Sequence, residues 1–545
     1  MAFLVVVLVA IVALEAAAYR WGGVYAVAAG RIWAVMGIGF LILGSIEIGR
    51  AARDDLKQRN PAPVVLLVGI LAATLPGIGG VELLPIYHEA PREAAHGLRS
   101  LDQTDWIYTG YGHIGYPNRQ YLIAAAPSVV LGTGLIPLRL GFGLPFVFGM
   151  LLFWVGLRRF LAGHQWGSRA APIVALAVLA FPFAVEHLHN YEQTIFPLSA
   201  TLAATGWFVL TAAAPSVPRL LSLAWIGGLL GCSYTPNLSS WVLMIVSLVW
   251  LAIVSWREHR PSWVVSYGCV AIMVACFGGL SFLTRLDLHK VETGHIKSTA
   301  GSALVDGFSI FFFGDPQIFV PAVLYVPVMA ALLLAVVGRL GFPAFTMAWW
   351  VVGTLAAACI LNGNSLRPMT IEMFRVLVVV PPLLMLTTWF GRRGAEKGLF
   401  RNCPPAVAVF AVFLLVAQIC SNLRSYADRY KPSLKEIAYA DMLERRDDLR
   451  ISPERPPIIV LLTDRHDIGN PDDLMPYFFP GFQLIRDPAE FDPGSIAGRP
   501  ILFYADADRW RHDDPPWPGA GEPSKIVYDH PHHGHTMVVW GHSGD

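Results

Sequence analysis

Five carboxylates, Glu82, Glu89, Glu93, Asp102 and Asp105, fall within one polar stretch, followed closely by His113 and Tyr116. A carboxylate within hydrogen-bond reach of a hydroxyl can take its proton as the oxygen attacks an electrophile, so this is a stretch suited to general-base chemistry. Glu89 and Glu93 are spaced to share one face of a helix. A second set of residues suits an anion. Lys290, His295 and Lys297 lie in LHKVETGHIKSTAG, Arg367 in NGNSLRPMTIE, and Arg375 just inside the apolar run RVLVVVPPLLML. Guanidinium pairs two phosphate oxygens at once, and a cation set inside an apolar run should face a cavity or a partner rather than lipid.

Two further polar clusters have weaker chemical meaning. Glu186-His187-Leu188-His189-Asn190-Tyr191-Glu192 has two readings, a metal site from His187, His189 and Glu192 or a solvated loop at a membrane boundary. The second needs no closed ligand geometry and is preferred. His530, His532, His533, His535 and His542 in DHPHHGHTMVVWGH read as an exposed hairpin turn for the same reason. No cofactor is certain from the pattern, and a divalent metal is possible but unsupported: no C-x-x-C spacing occurs, and the six cysteines lie in or beside apolar segments.

The elements that must position these groups are membrane helices. Of the 545 residues 55% are hydrophobic and 14% charged, with a mean hydropathy of +0.52, whereas soluble domains carry roughly 25% charged residues. A net charge of +1 gives no electrostatic case for nucleic acid. No G-x-x-x-x-G-K-[ST] loop is present, which leaves an ATP-driven transporter unsupported. At about 20 apolar residues per span, about thirteen helices are expected. They fall near 2–18, 31–49, 62–82, 139–157, 170–186, 193–212, 219–235, 240–256, 263–284, 317–337, 343–361, 373–391 and 404–421. The opening AFLVVVLVAIVALEAAA lacks the basic flank of a cleavable signal and reads as a retained helix.

Lys- and Arg-rich short loops mark the cytoplasmic side. Arg50–Arg59, Arg158–Arg169, Arg257–Arg260, Arg339 and Arg392–Arg401 alternate consistently if the N-terminus is inside. The long loop 83–138, the loops 186–192 and 285–316, and the C-terminal region are then extracytoplasmic. Counting Tyr121–Pro137 as a span would put Arg158 and Arg159 outside, so it is expected as a helix lying on or dipping into the outer face. After Ser421 the composition changes. Residues 422–455 are charged and helix-like, and short β-like runs follow at 457–463, 482–486, 500–504, 525–528 and 537–540, punctuated by Pro and Gly. The expected organisation is two N-terminal membrane helices (1–61), a transmembrane module (62–421) and a small extracytoplasmic α/β domain (422–545).

Three stretches resemble the GT-C membrane glycosyltransferases, in particular the branch of protein O-mannosyltransferases and lipid A aminoarabinose transferases. They are HEAPREAAHGLRSL from His88, GYPNRQYLIAAAPSVVLGTGLIPLRLGFGLPFVFGMLLFWVGLRRFLAG from Gly115, and AFPFAVEHLHNYEQTIFPLSATLAATGWFVL, and the resemblance covers roughly residues 62–391. It implies transfer of a sugar from a polyprenyl-phosphate donor to a lipid, glycan or protein acceptor on the outer face of a bacterial inner membrane. Where the family carries Asp-Glu this chain has His88-Glu89, so the base falls to Glu89, with Glu93 and His88 beside it. Arg367, Arg375, Lys290 and Lys297 would hold the donor phosphate. Asp102, His113, Tyr116, His187 and Glu192 would line the acceptor groove. An envelope polysaccharide polymerase or ligase, and a non-catalytic lipid-sugar binding or transport protein, are the competing classes.

Overall fold

The computed structural model describes residues 2–79, 89–102, 119–162, 171–172, 175–176, 178–180, 195–232, 261–284, 333, 449–452, 454–462, 477–479, 481–487, 492, 498–506, 524–530 and 533–542. The expected spans at 240–256, 343–361, 373–391 and 404–421, and residues 422–448 of the helix expected at 422–455, lie outside the described residues; at its described end, 449–452 and 454–455, the chain is not helical and Ser452 bridges Arg455.

Two long apolar runs, α1 (Ala2–Trp21) and α2 (Gly23–Lys57), form an antiparallel pair joined at Gly22, whose φ of 61° suits glycine. α2 starts eight residues before the apolar pattern at 31–49 suggests. Helices α3 (Ala62–Gly79), α4 (Glu89–Asp102), α5 (Arg119–Leu131), α6 (Leu135–Phe160), α7 (Ile195–Ala213), α8 (Val217–Cys232) and α9 (Pro261–Thr284) follow. Three of them, α1, α2 and α6, are long and apolar enough to cross a membrane. Val6, Val35 and Val68 stand 65%, 69% and 59% exposed on the outside of the bundle. Such faces are stable against lipid tails rather than water, and the chain is an integral membrane protein.

Side-chain contacts fix the direction of each helix. Glu47 and Asp55 near the end of α2 meet Arg219 at the start of α8 and Arg158 at the end of α6. We call this the basic end, and the opposite one the loop end. Helix α7 runs alongside α6, with Gly149 against Ser199 and Gly156 against Gly206, so both travel toward the basic end. Helices α1, α8 and α9 travel back together, since Leu4, Leu220 and Cys269 cluster at one level and Gly228 meets Phe277 at another. Between them Phe40 anchors an aromatic core, its ring 5.2 Å from Trp225, 5.6 Å from Trp207 and 5.7 Å from Phe148.

Helix α5 has 13 residues and is roughly 20 Å long at 1.5 Å per residue, short of the ~30 Å hydrocarbon core. It ends at Gly132, where φ is 80°. Leu135–Pro137, which the apolar tract joins to this short helix, belong instead to the first turn of α6, where proline lacks no needed hydrogen bond.

The C-terminal strands β1 (Ile458–Leu462), β2 (Gln483–Ile485), β3 (Ile501–Asp506), β4 (Ser524–His530) and β5 (His533–His542) form one sheet in the order β2-β1-β3-β5-β4. β1 runs parallel to β2 and β3, and β5 antiparallel to β3 and β4. The unbroken apolar runs IIVLL and ILFYA suit central parallel strands covered on both faces. His530 pairs with His533 and His535 with Tyr528 where β4 and β5 meet, while His542 pairs with Ile501 at the far end of β5.

Candidate functional site

Of the candidate site residues singled out in the sequence, three are described, and all three lie on α4 at the loop end. Glu89 and Glu93 lie in the first two turns of α4, where negative charge complements the helix dipole, and Asp102 is its last residue. Pro91 is tolerated there because early helical N–H groups have no intrahelical acceptor. The helix is strongly two-faced, and its buried side, with Ala94 fully covered, rests on α5.

The seat of α4 is defined by backbone closeness. A Cβ on Gly97 would lie 2.0 Å from the Tyr121 carbonyl oxygen, and one on Gly141 would lie 2.0 Å from that of Ala124. Glycine on each flank therefore lets α5 lie directly between α4 and α6. The His96 ring stands 5.9 Å from that of Tyr121 at the same crossing.

Both ends of α5 are tied to other parts of the chain. At its start, Arg119 is buried and its Nη2 donates to Oε1 of Glu15, which is equally buried on α1. The guanidinium lies 5.6 Å from the Trp33 ring centroid and 4.9 Å from that of Phe277, so α2 and α9 flank it. A cavity of about 10 Å³, enough for one water-sized group, is lined by Glu15, Trp33, Arg119, Trp225 and Phe277 among others. The indole N–H groups of Trp33 and Trp225 have no acceptor among the described residues. At the far end, the Tyr477 hydroxyl is 2.7 Å from Ser128 Oγ and donates to the Gly134 carbonyl at 3.0 Å. Tyr477, Phe478 and Phe479, with Leu502 and Tyr504 of the sheet region, share one buried apolar cluster with the bundle. The sheet therefore docks at the loop end.

Helix α9 finishes at this end, Phe277 being two turns from its last residue, Thr284. α7 enters from the same end, directly after the segment holding His187 and Glu192. His88, His113, Tyr116, His187, Glu192, Lys290, Lys297, Arg367 and Arg375 themselves lie outside the described residues. Among the described residues, no three His, Cys, Asp or Glu side chains gather in a way that would hold a metal.

Sequence reasoning passed over Glu15, Arg119, Tyr477 and the fully buried Arg139 of α6. One signal was available for the first: a lone carboxylate in an apolar first helix requires a partner. Nothing in the sequence names that partner, 104 residues away.

No family model matches the chain, and no curated protein matches it. Among solved structures it is similar to ArnT from Cupriavidus metallidurans bound to undecaprenyl phosphate, at 15% identity over 88% of this chain and 97% of that one, with a TM-score of 0.46. The same enzyme in the apo state gives 15% identity over 88% and 98%, again with a TM-score of 0.46. At that level of likeness no residue role passes from those structures to this chain.

Proposed function

We propose that the protein is a GT-C-type membrane glycosyltransferase that moves a sugar from a polyprenyl-phosphate donor to an acceptor at the loop end of the bundle. The observation that carries this reading is the placement of Glu89 and Glu93 at the start of a two-faced helix seated on the end of a membrane bundle. The family-like stretches His88–Leu101 and Gly115–Gly163 supply α4, α5 and α6, the elements that form that seat.

In the proposed reaction Glu89 takes the proton of the acceptor hydroxyl as its oxygen attacks the anomeric carbon. Attack comes from the face opposite the phosphate, so the configuration inverts. The carbon–oxygen bond to the lipid phosphate breaks, and the phosphate leaves with the electron pair. Arg367, Arg375, Lys290 and Lys297 balance the charge that grows on it. Asp102, His113, Tyr116, His187 and Glu192 line the acceptor groove, with Glu93 and His88 beside the base. The two N-terminal helices (1–61) brace the transmembrane module (62–421), and the extracytoplasmic domain (422–545) covers the site from above. The N-terminus is cytoplasmic, following the Lys and Arg excess at the basic end. His88, standing where the family has Asp, is the one feature that favours a non-catalytic donor-binding role instead.

The test is single-turnover release of sugar from a mixed set of polyprenyl-phosphate sugars in detergent. The expected result is turnover by the wild type and a loss of about two decades or more in Glu89→Gln, with donor binding retained. Absence of donor binding in both proteins would overturn the reading.

A further inference from the structure

The buried ion pair between α1 and α5 is placed to do more than neutralise two charges. Arg119 is the first residue of α5. Its guanidinium is held from three sides, by Glu15 of α1, Trp33 of α2 and Phe277 of α9. α5 in turn is the surface on which α4 lies, with backbone contact at Gly97 and Tyr121. α4 carries Glu89 and Glu93 on its first two turns. A continuous path of contacts therefore joins Glu15, on a helix outside the family-like region, to the helix that bears the proposed base.

We propose that Glu15 and Arg119 are positioning residues: by locking the start of α5 into the bundle they fix the height and tilt of α4 over the loop end. The role assigned to α4 rests on the glycosyltransferase reading, but the mechanical claim does not. Charge-assisted hydrogen bonds are directional, and a guanidinium gripped by a carboxylate and two aromatic faces has little freedom left. A glutamine at position 15 fills the same volume and removes only the charge. A methionine at 119 then removes the second charge and restores neutrality while leaving nothing directional to grip.

The experiment is amide hydrogen exchange on the full-length protein in lipid nanodiscs, for wild type, Glu15→Gln and Glu15→Gln/Arg119→Met, together with kcat and KM on the donor. In Glu15→Gln, exchange across 89–102 and 119–131 should accelerate at least tenfold beyond any change across 195–213. The double variant should recover most of the thermal midpoint, because the two opposite charges are removed together. It should nevertheless keep the faster exchange in α4 and α5, with kcat at least tenfold down and KM within twofold of wild type. Exchange in α4 and α5 that matches wild type in either variant, acceleration spread evenly over all helices, or failure of both variants to fold would overturn the proposal. So would turnover by the double variant at the wild-type rate. Should the wild type release no sugar from any donor, the glycosyltransferase reading fails, and the exchange pattern alone still decides whether the pair positions α4.

Discussion

The two ends of the bundle use the same chemistry differently. At the basic end, Asp55 pairs with Arg158 at 3.0 Å and Glu47 with Arg219 at 2.7 Å, and each arginine keeps about a fifth of its side chain exposed, 22% and 20%. Arg219 also donates to the carbonyls of Ala214 and Leu210, closing the turn between α7 and α8. At the loop end, Arg119 and Glu15 are each only 2% exposed and lie among aromatic rings. Guanidinium groups at a membrane boundary can reach water when a partner is lost, whereas one sealed in the bundle cannot. At the basic end it is therefore the arginines that tolerate loss of a partner, the Asp55 carboxylate itself being fully buried. The loop end is a less forgiving assembly, in which short helices are fixed from several directions at once.

That contrast can be broken by three substitutions. Arg119→Ala takes the guanidinium away from the buried Glu15 carboxylate and should cost about 3–5 kcal/mol, read as the shift in denaturant midpoint in detergent. Asp55→Ala at the other end also removes one partner of a pair, but Arg158 can turn to water, and the loss should stay near about 1–2 kcal/mol. Equal losses at the two sites would erase the distinction. Tyr477→Phe keeps the ring and deletes the hydroxyl that reaches Ser128 and Gly134, so about 1 kcal/mol is expected. Protection of the sheet amides from exchange should fall with it, while that of α7 should not. A sheet unaffected by this change would mean that the apolar contacts alone hold it to the loop end.

Much of the fold was legible because its signals are local. Apolar runs of span length located α3, α7, α8 and α9 to within a few residues, and Pro and Gly between β-branched runs located the five strands seen among the described residues. Gly481 and Gly498, with φ of 76° and 83°, sit just before β2 and β3, where a turn of that hand needs glycine. Boundaries blurred where one apolar tract serves two elements, as at Gly132 between α5 and α6. The site was legible only in part. α4 was readable from its two-faced pattern and its carboxylates. The clamp on α5 was not, since Glu15 meets Arg119 across 104 residues and Ser128 meets Tyr477 across 349. Pairings at that separation are decided by how helices stack, which no window of sequence contains.

The central claim is that chemistry belongs to the loop end and not to the basic end. Its most direct test is single-turnover sugar release measured side by side for Glu89→Gln and Asp55→Asn, each compared with wild type under saturating donor. A loss of about two decades or more is expected for Glu89→Gln, and a rate within about twofold of wild type for Asp55→Asn, whose partner can be satisfied by water. Equal losses in the two variants, or full turnover by Glu89→Gln, would contradict it.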